Sequence, residues 1–430
     1  MGEITLKPYE KELNGELEVP GDKSISHRSV ILGSLSSGVT KVTNFLEGED
    51  CMRTIKAFQS MGVSIQKEGT SLTINGQGVS ALKEPTVPLD FGNSGTTTRL
   101  MLGILAGLDF FTTIYGDASL LKRPMDRVVN PLRKMNASID GRNDGRHLPL
   151  SIRGQVLEGI YYELPVKSAQ VKSAILLAGL LANGKTVVTE QVQTRDHTEN
   201  MLEAFGADIS RDGLTTTITS NQPLRATDVQ VPGDISSAAF FLVAGCIVPN
   251  SRVVLRNVGL NKTRTGIIDA LQKMGATMKI ENETVTSGEA MGDIVVEASS
   301  LHGTEIEGEI IPRLIDEIPI IALLATQAEG KTIIRDAEEL RVKETDRIAA
   351  VVDVLSTLGA KIEATEDGMI IYGKTQLTGG KVSSYDDHRI AMMATIASLV
   401  AKDEITIDDI SSIAISYPSF FEHLQSITRK

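Results

Sequence analysis

The chain has 430 residues and carries 43 Lys+Arg against 55 Asp+Glu, a formal net charge of −12. An apolar fraction of 41% beside 23% charged residues is ordinary globular composition and excludes long disorder. Two cysteines support neither a disulfide framework nor a Cys-based zinc site, and net acidity without Trp argues against a general nucleic-acid binder.

From the N-terminus, Met1 to Glu12 alternates charged and apolar residues, with no signal-peptide core. The Met-Gly start has Leu6 where a myristoylation motif needs Ser or Thr. The longest mostly apolar run, 235–248, is shorter than the roughly 20 residues that span a bilayer. A soluble cytoplasmic protein without membrane contact is expected. A single core rarely exceeds roughly 250–300 residues, so two domains are expected as well.

An apolar, Ala/Gly/Leu-rich segment then recurs about every 72 residues, each time closed by a small polar turn and a β-branched strand. Its turns lie near Gly38, Asp109, Gly184, Asn250, Gly330 and Asp403. Between these segments run amphipathic helices such as IKAFQSMG, VNPLRKMN, ENMLEAFG, IIDALQKMG and VVDVLSTLG, whose last Gly or Asn suits a left-handed C-cap. The sixth such helix is read at Phe420–Ile427, with strands supplied by the N-terminal residues. Each unit reads β-α-β-α-β-β. The near-identical VPGDKSIS at Val19 and VPGDISSA at Val231 mark the two strands of one hinge. The expected fold is therefore α/β with two similar lobes of three units each: residues 21–231, and residues 1–20 with 232–430.

The charged motifs fall at the entrances of the apolar helices. GDKSISHR places Lys23 and Arg28 there, FGNSGTTTR places Gly92, Asn93, Ser94 and Gly95, and KSAQVKSA places Ser168 and Gln170. PRLIDEIP places Asp316, and YDDHRIAM places His388 and Arg389. LKRPMDR (Arg123), QTRDHTE (Arg195) and RVKETDR (Lys343, Glu344, Arg347) add charge, with Lys343 and Arg347 spaced to share one helix face. Helix N-termini carry unpaired N–H groups and bind anions, so the repeated placement points to anionic ligands. Taken singly, GNSGT is an ordinary turn and KETDR a solvated face. His27, His197 and His388 lack metal-ligand spacing, so no metal and no cofactor are expected. Cys51 and Cys246 read as packing residues.

Taken together and in this order, GDKSISHR, GNSGTTTR, LKRPM, SAQVKSA, TRDHTE, IDEIP, RVKETDR and DDHRIAM resemble the 5-enolpyruvylshikimate-3-phosphate (EPSP) synthases, over about Val19 to Pro418. The resemblance implies an inside-out α/β barrel of the enolpyruvyl transferase type, with the active site in the interdomain cleft. It implies a transferase that moves the enolpyruvyl group of phosphoenolpyruvate (PEP) to the 5-hydroxyl of shikimate 3-phosphate and releases phosphate. The step lies on the shikimate pathway to chorismate and the aromatic amino acids. By motif position, Lys23, Ser24, Arg28, Ser168, Ala169, Gln170, Arg195, Asp316 and Lys343 hold shikimate 3-phosphate. Lys23, Gly95, Arg123, Gln170, Arg347 and Arg389 hold PEP, in the subsite that glyphosate occupies in many members. Ile415 stands where some members carry a Lys toward PEP.

The chemistry is addition and then elimination, which asks for a base, an acid and positive charge. Asp316 is expected as base, Glu344 as proton donor to C3 of PEP, and Lys23 beside the leaving phosphate. Seven cations against two carboxylates match two substrates that together bring roughly five to six negative charges. A UDP-N-acetylglucosamine enolpyruvyl transferase is the nearer alternative, though the stretch GDASLLKRPMDR lacks the Cys many of those enzymes use. A non-catalytic anion-binding protein is the distant one. No macromolecular partner is expected, and a monomer is.

Overall fold

The computed structural model describes residues 2–9, 11–220 and 223–428. The chain forms two bodies, one of Met1–Pro20, Pro232–Thr284 and Ala290–Lys430, the other of Gly21–Val231 with Val285–Glu289. Each has its own apolar core. Among the described residues no helix is long and apolar enough to cross a membrane.

Both bodies are built on core helices that are apolar nearly all round. In the 21–231 body these are Lys23–Leu35, Gly95–Leu105 and Ala169–Leu181; in the other, Ile235–Ile247, Ile318–Thr326 and His388–Ala397. In the fourth, every residue from Ile235 to Cys246 is buried. Such a helix cannot lie on a surface. Five of the six begin on a side-chain N-cap, from Asp22, Ser94, Ser168, Asp234 and Asp387. The fifth begins with Pro319 in its first turn instead.

Around them, among the described residues, lie six sheets with one pairing scheme. A leading strand runs parallel to a second, which pairs antiparallel with the last strand of a hairpin. In the second unit, Leu89–Asp90 pairs with Phe111–Tyr115, which pairs with His147–Arg153, which pairs with Ser138–Gly141. The sixth sheet has three strands, and its third is Ile4–Leu6, antiparallel to Ile405–Ile407. Near that end of the chain Tyr9 donates from its hydroxyl to the Thr428 carbonyl at 3.1 Å. The β-α-β-α-β-β reading thus describes five units; among the described residues the sixth takes one strand from the N-terminal segment, since Asn14–Glu18 pairs in the fourth sheet instead. The amphipathic helices end on Gly62, Asn136, Gly206, Gly275 and Gly359, all at positive φ.

Two leading strands are exchanged. Asn14–Glu18 precedes the first core helix but pairs with Arg252–Gly259, whereas Val229–Gln230 precedes the fourth and pairs with Ser37–Thr43. The repeated Val-Pro-Gly-Asp segments are the connections that this exchange requires. A Cβ on Gly21 would run into the Asn44 carbonyl, so the turn admits only glycine.

The second and third core helices touch backbone to backbone, because Gly103 sits against the Ala174 carbonyl. A side chain there has to push two buried helices apart. Gly103→Ala is expected to destabilise the protein by about 1–3 kcal/mol in urea unfolding; an unchanged midpoint would contradict the close approach.

Candidate active site

In the 21–231 body, side-chain hydrogen bonds tie the entrances of the three core helices together. Arg28 is buried and donates from Nε to Thr198 Oγ1 (2.6 Å), from Nη1 to the Ser24 carbonyl (2.9 Å) and from Nη2 to Ser173 Oγ (2.8 Å). First and third helices are thereby joined. Arg99 donates to Gln170 Oε1 (2.5 Å) and Gln170 donates to Thr96 Oγ1 (2.9 Å), which joins second and third. His27 Nδ1 lies 2.7 Å from Thr54 Oγ1, which lies 2.9 Å from Thr97 Oγ1, and Thr97 Oγ1 lies 2.7 Å from the capping hydroxyl of Ser94. That chain joins first and second.

Lys23 forms an ion pair with Asp50, whose carbonyl accepts from Thr97 Oγ1 at 3.3 Å. Arg123 donates to Asn93 Oδ1 (2.7 Å). Gly95 opens the second helix, and a Cβ built on it would lie 3.1 Å from Arg123 Nη1 and 3.2 Å from Arg99 Nη1. Ser168 caps the third helix, Ala169 is its first residue, and Arg195 lies near enough for its charge to act on Arg28. Nine of the sequence-derived site residues are thus gathered at three adjoining helix entrances of this body.

The other body repeats the arrangement with more charge. Arg264 donates to Asp234 (3.3 Å) and Ser236 (2.6 Å), Ser236 bonds Glu317, and Arg389 lies 3.9 Å from Glu317. Arg347 is 1% exposed and reaches three carboxylates: Asp387 from Nε (2.8 Å) and Nη2 (3.3 Å), Glu344 from Nη2 (2.7 Å) and Asp316 from Nη1 (3.3 Å). These counter-charges raise its pKa against the burial that lowers it. Lys343 stands 3.5 Å from Asp316. Asp316, Lys343, Glu344, Arg347 and Arg389 are therefore one cluster, at the entrances of the fourth, fifth and sixth core helices.

Two sequence expectations need correction. Lys343 and Arg347 do not share a helix face, since Asp346 caps a helix that starts at Arg347, and residues 343–346 are a turn. Asp is a favoured cap, so Thr-Asp-Arg carried that signal. Both cations still meet at Asp316. The charge count also changes: Asp50, Asp387 and Glu317 stand against Lys23, Arg347 and Arg389, so the positive excess is smaller than motif reading suggests. Sequence reasoning missed Arg99, Asp387 and Glu317 as members of these clusters. All three lie inside the quoted motifs, where a charged residue at a helix entrance is the signal.

Burial pushes the His27 imidazole down to about 3 and that of His388 down to about 4; nearby cations add to the shift, while Asp50 and Asp387 oppose it. Both rings are neutral in the fold.

Comparison with known proteins bears on these clusters. A family model described as EPSP synthase (3-phosphoshikimate 1-carboxyvinyltransferase) matches residues 8–424. The chain is 62% identical over 429 residues to the 3-phosphoshikimate 1-carboxyvinyltransferase of Oceanobacillus iheyensis, and 58% identical to that of a Bacillus cereus strain, covering 100% of each chain. It superposes on an EPSP synthase structure from Acinetobacter baumannii with a TM-score of 0.91 at 45% identity, covering 99% of this chain and 98% of that one.

The neutral histidines set a pH dependence. Unfolded histidine titrates near 6.5, well above the folded values, so between there and pH 4 the unfolded state binds more protons. Stability is then lost as pH falls, by up to about 1.4 kcal/mol per pH unit for each ring. The variant His27→Gln is expected to show a shallower loss than wild type in urea unfolding between pH 6.5 and 4.5. Parallel curves would contradict the burial of a neutral ring.

Proposed function

The chain belongs to the EPSP synthase family, and from that premise we propose that its two helix-entrance clusters share the binding of shikimate 3-phosphate and PEP. The reaction is transfer of the enolpyruvyl group of PEP to the 5-hydroxyl of shikimate 3-phosphate, with release of phosphate, on the shikimate pathway. The 21–231 body supplies most contacts to shikimate 3-phosphate, through Lys23, Ser24, Arg28, Ser168, Ala169, Gln170 and Arg195. The second body adds Asp316 and Lys343. PEP is held by Lys23, Gly95, Arg123, Gln170, Arg347 and Arg389. Helix N-termini add partial positive charge at both clusters.

The observation that carries this reading is Arg347, a buried guanidinium whose partners are the two carboxylates the chemistry needs. Asp387 anchors it from below through Nε. When PEP arrives, its anionic groups take the Nη side, which releases Asp316 and Glu344 from Arg347. Asp316 then takes the proton of the 5-hydroxyl as its oxygen bonds to C2 of PEP, while Glu344, which takes up a proton from solvent once PEP replaces it at Arg347 and surrounds it with negative charge, gives that proton to C3. In the second step C3 returns its proton, the C2–O bond to phosphate breaks, and Lys23 stabilises the leaving anion. Glyphosate fits the PEP subsite by the same charges. A monomer acting in the cytoplasm agrees with substrates that are small and diffusible.

Purified protein given PEP and shikimate 3-phosphate in the presence of a chelator is expected to release inorganic phosphate, and to release none with UDP-N-acetylglucosamine as acceptor. Asp316→Asn and Glu344→Gln are expected to lower kcat by about 10²–10⁴-fold, the usual contribution of a positioned acid or base. Undiminished turnover in either variant would remove that residue from the mechanism.

A further inference from the structure

Three ionisable groups of the 21–231 body have no part in the reaction, yet they are among the most deeply buried in it: Lys172, Glu190 and Glu199. Lys172 interrupts the apolar run of the third core helix. Its ammonium lies 2.7 Å from Glu190 Oε2 and 2.7 Å from Glu199 Oε1. Glu190 Oε1 in turn accepts from the backbone N–H of Thr194 (3.2 Å) and from its hydroxyl. One ammonium therefore clips both ends of the segment from Glu190 to Glu199. Arg195 lies inside that segment, and Thr198, next to Glu199, accepts the Nε–H of Arg28 (2.6 Å). Ser173, next to Lys172, accepts from Arg28 Nη2 (2.8 Å) and lies 2.7 Å from Thr198 Oγ1.

We propose that Lys172, held by Glu190 and Glu199, is a positioning residue for shikimate 3-phosphate, fixing both Arg28 and Arg195 in the orientation that meets this substrate. The inference rests on the assignment of those two arginines under Proposed function. A buried ion triad is a poor source of stability, because well-packed apolar side chains serve at least as well. A positional role accounts for its presence. Lys172 occupies one oxygen of Glu199, Oε1. With Lys172 gone, Arg28 is the cation best placed to replace it: burial lowers the Arg28 pKa to about 10, and Glu199 is the strongest charge opposing that fall. A guanidinium turned toward Glu199 no longer presents itself to a phosphate.

The test is calorimetric binding of shikimate 3-phosphate, with steady-state kinetics for each substrate. Lys172→Met is expected to weaken shikimate 3-phosphate by about 10–100-fold, the scale of a misplaced binding group. The KM for PEP, measured at saturating shikimate 3-phosphate, should move less than about threefold, and Lys172→Arg should restore most of the binding. Equal losses for both substrates, or wild-type binding in Lys172→Met, overturn the proposal. Should Lys172→Met not fold, Thr198→Val decides: it keeps the shape, removes the Nε acceptor, and is expected to weaken shikimate 3-phosphate by about tenfold. Unchanged binding in Thr198→Val overturns the proposal as well. If wild type itself binds no shikimate 3-phosphate, the site assignment fails and the inference falls with it; if wild type binds and the variants bind alike, only the inference fails.

Discussion

Arg347 is 1% exposed and remains charged, and a cation so placed has to be compensated on every side. The compensation comes from three separate parts of the chain: Asp316 ahead of the fifth core helix, Glu344 in the turn before its own helix, and Asp387 at the cap of the sixth. A single guanidinium therefore fixes the relative position of two repeat units. Breaking a fully buried pair such as Arg347–Asp387 by deleting one partner costs about 3–5 kcal/mol, which is enough to make that contact obligatory. The fork geometry matters as much as the charge. Arg347 holds Asp387, the carboxylate that stays, from Nε and from Nη2, and offers its Nη groups as well to Asp316 and Glu344, which an anion can displace.

The same logic shapes the 21–231 body, with hydroxyls in place of most carboxylates. Apolar core helices can be buried along their length, but their first N–H groups need partners. Side-chain caps satisfy some of them, and the rest leave a positive end where small anions are welcome. Arg28, Gln170 and Arg99 bind neighbouring helices to one another, while the two arginine charges stay at that end. Fold and chemistry thus meet at one place in each body, the entrance of the core helices.

Much of this architecture was legible in the sequence. The recurrence of Ala/Gly/Leu-rich segments at one spacing, each followed by a β-branched strand, is what a stack of equivalent units requires. The caps Asp22, Ser94, Ser168, Asp234 and Asp387 are Ser or Asp just ahead of apolar runs. Cationic motifs at those positions marked the candidate site. What remained hidden was the company each charge keeps. Asp50 lies on a surface-facing helix in sequence terms, and only the packing of that helix brings it to Lys23. Nothing local to Lys172 says that Glu190 and Glu199 fold back onto it. The 343–347 segment misled for a related reason: charge spacing suits a helix face, but Asp346 stops the helix short. Charge pairs across long sequence separation are set by tertiary structure, and periodicity does not report them.

The central claim is that Arg347 keeps Asp387 and exchanges its other carboxylate partners for PEP. Nitrogen-15 NMR of the Arg347 side chain, recorded with shikimate 3-phosphate and a PEP titration, reads both sides of the fork at once. The account predicts that the Nη resonances shift on PEP addition while the Nε–H signal stays protected and nearly unmoved. Loss of the Nε–H signal, or Nη resonances indifferent to PEP, would contradict it.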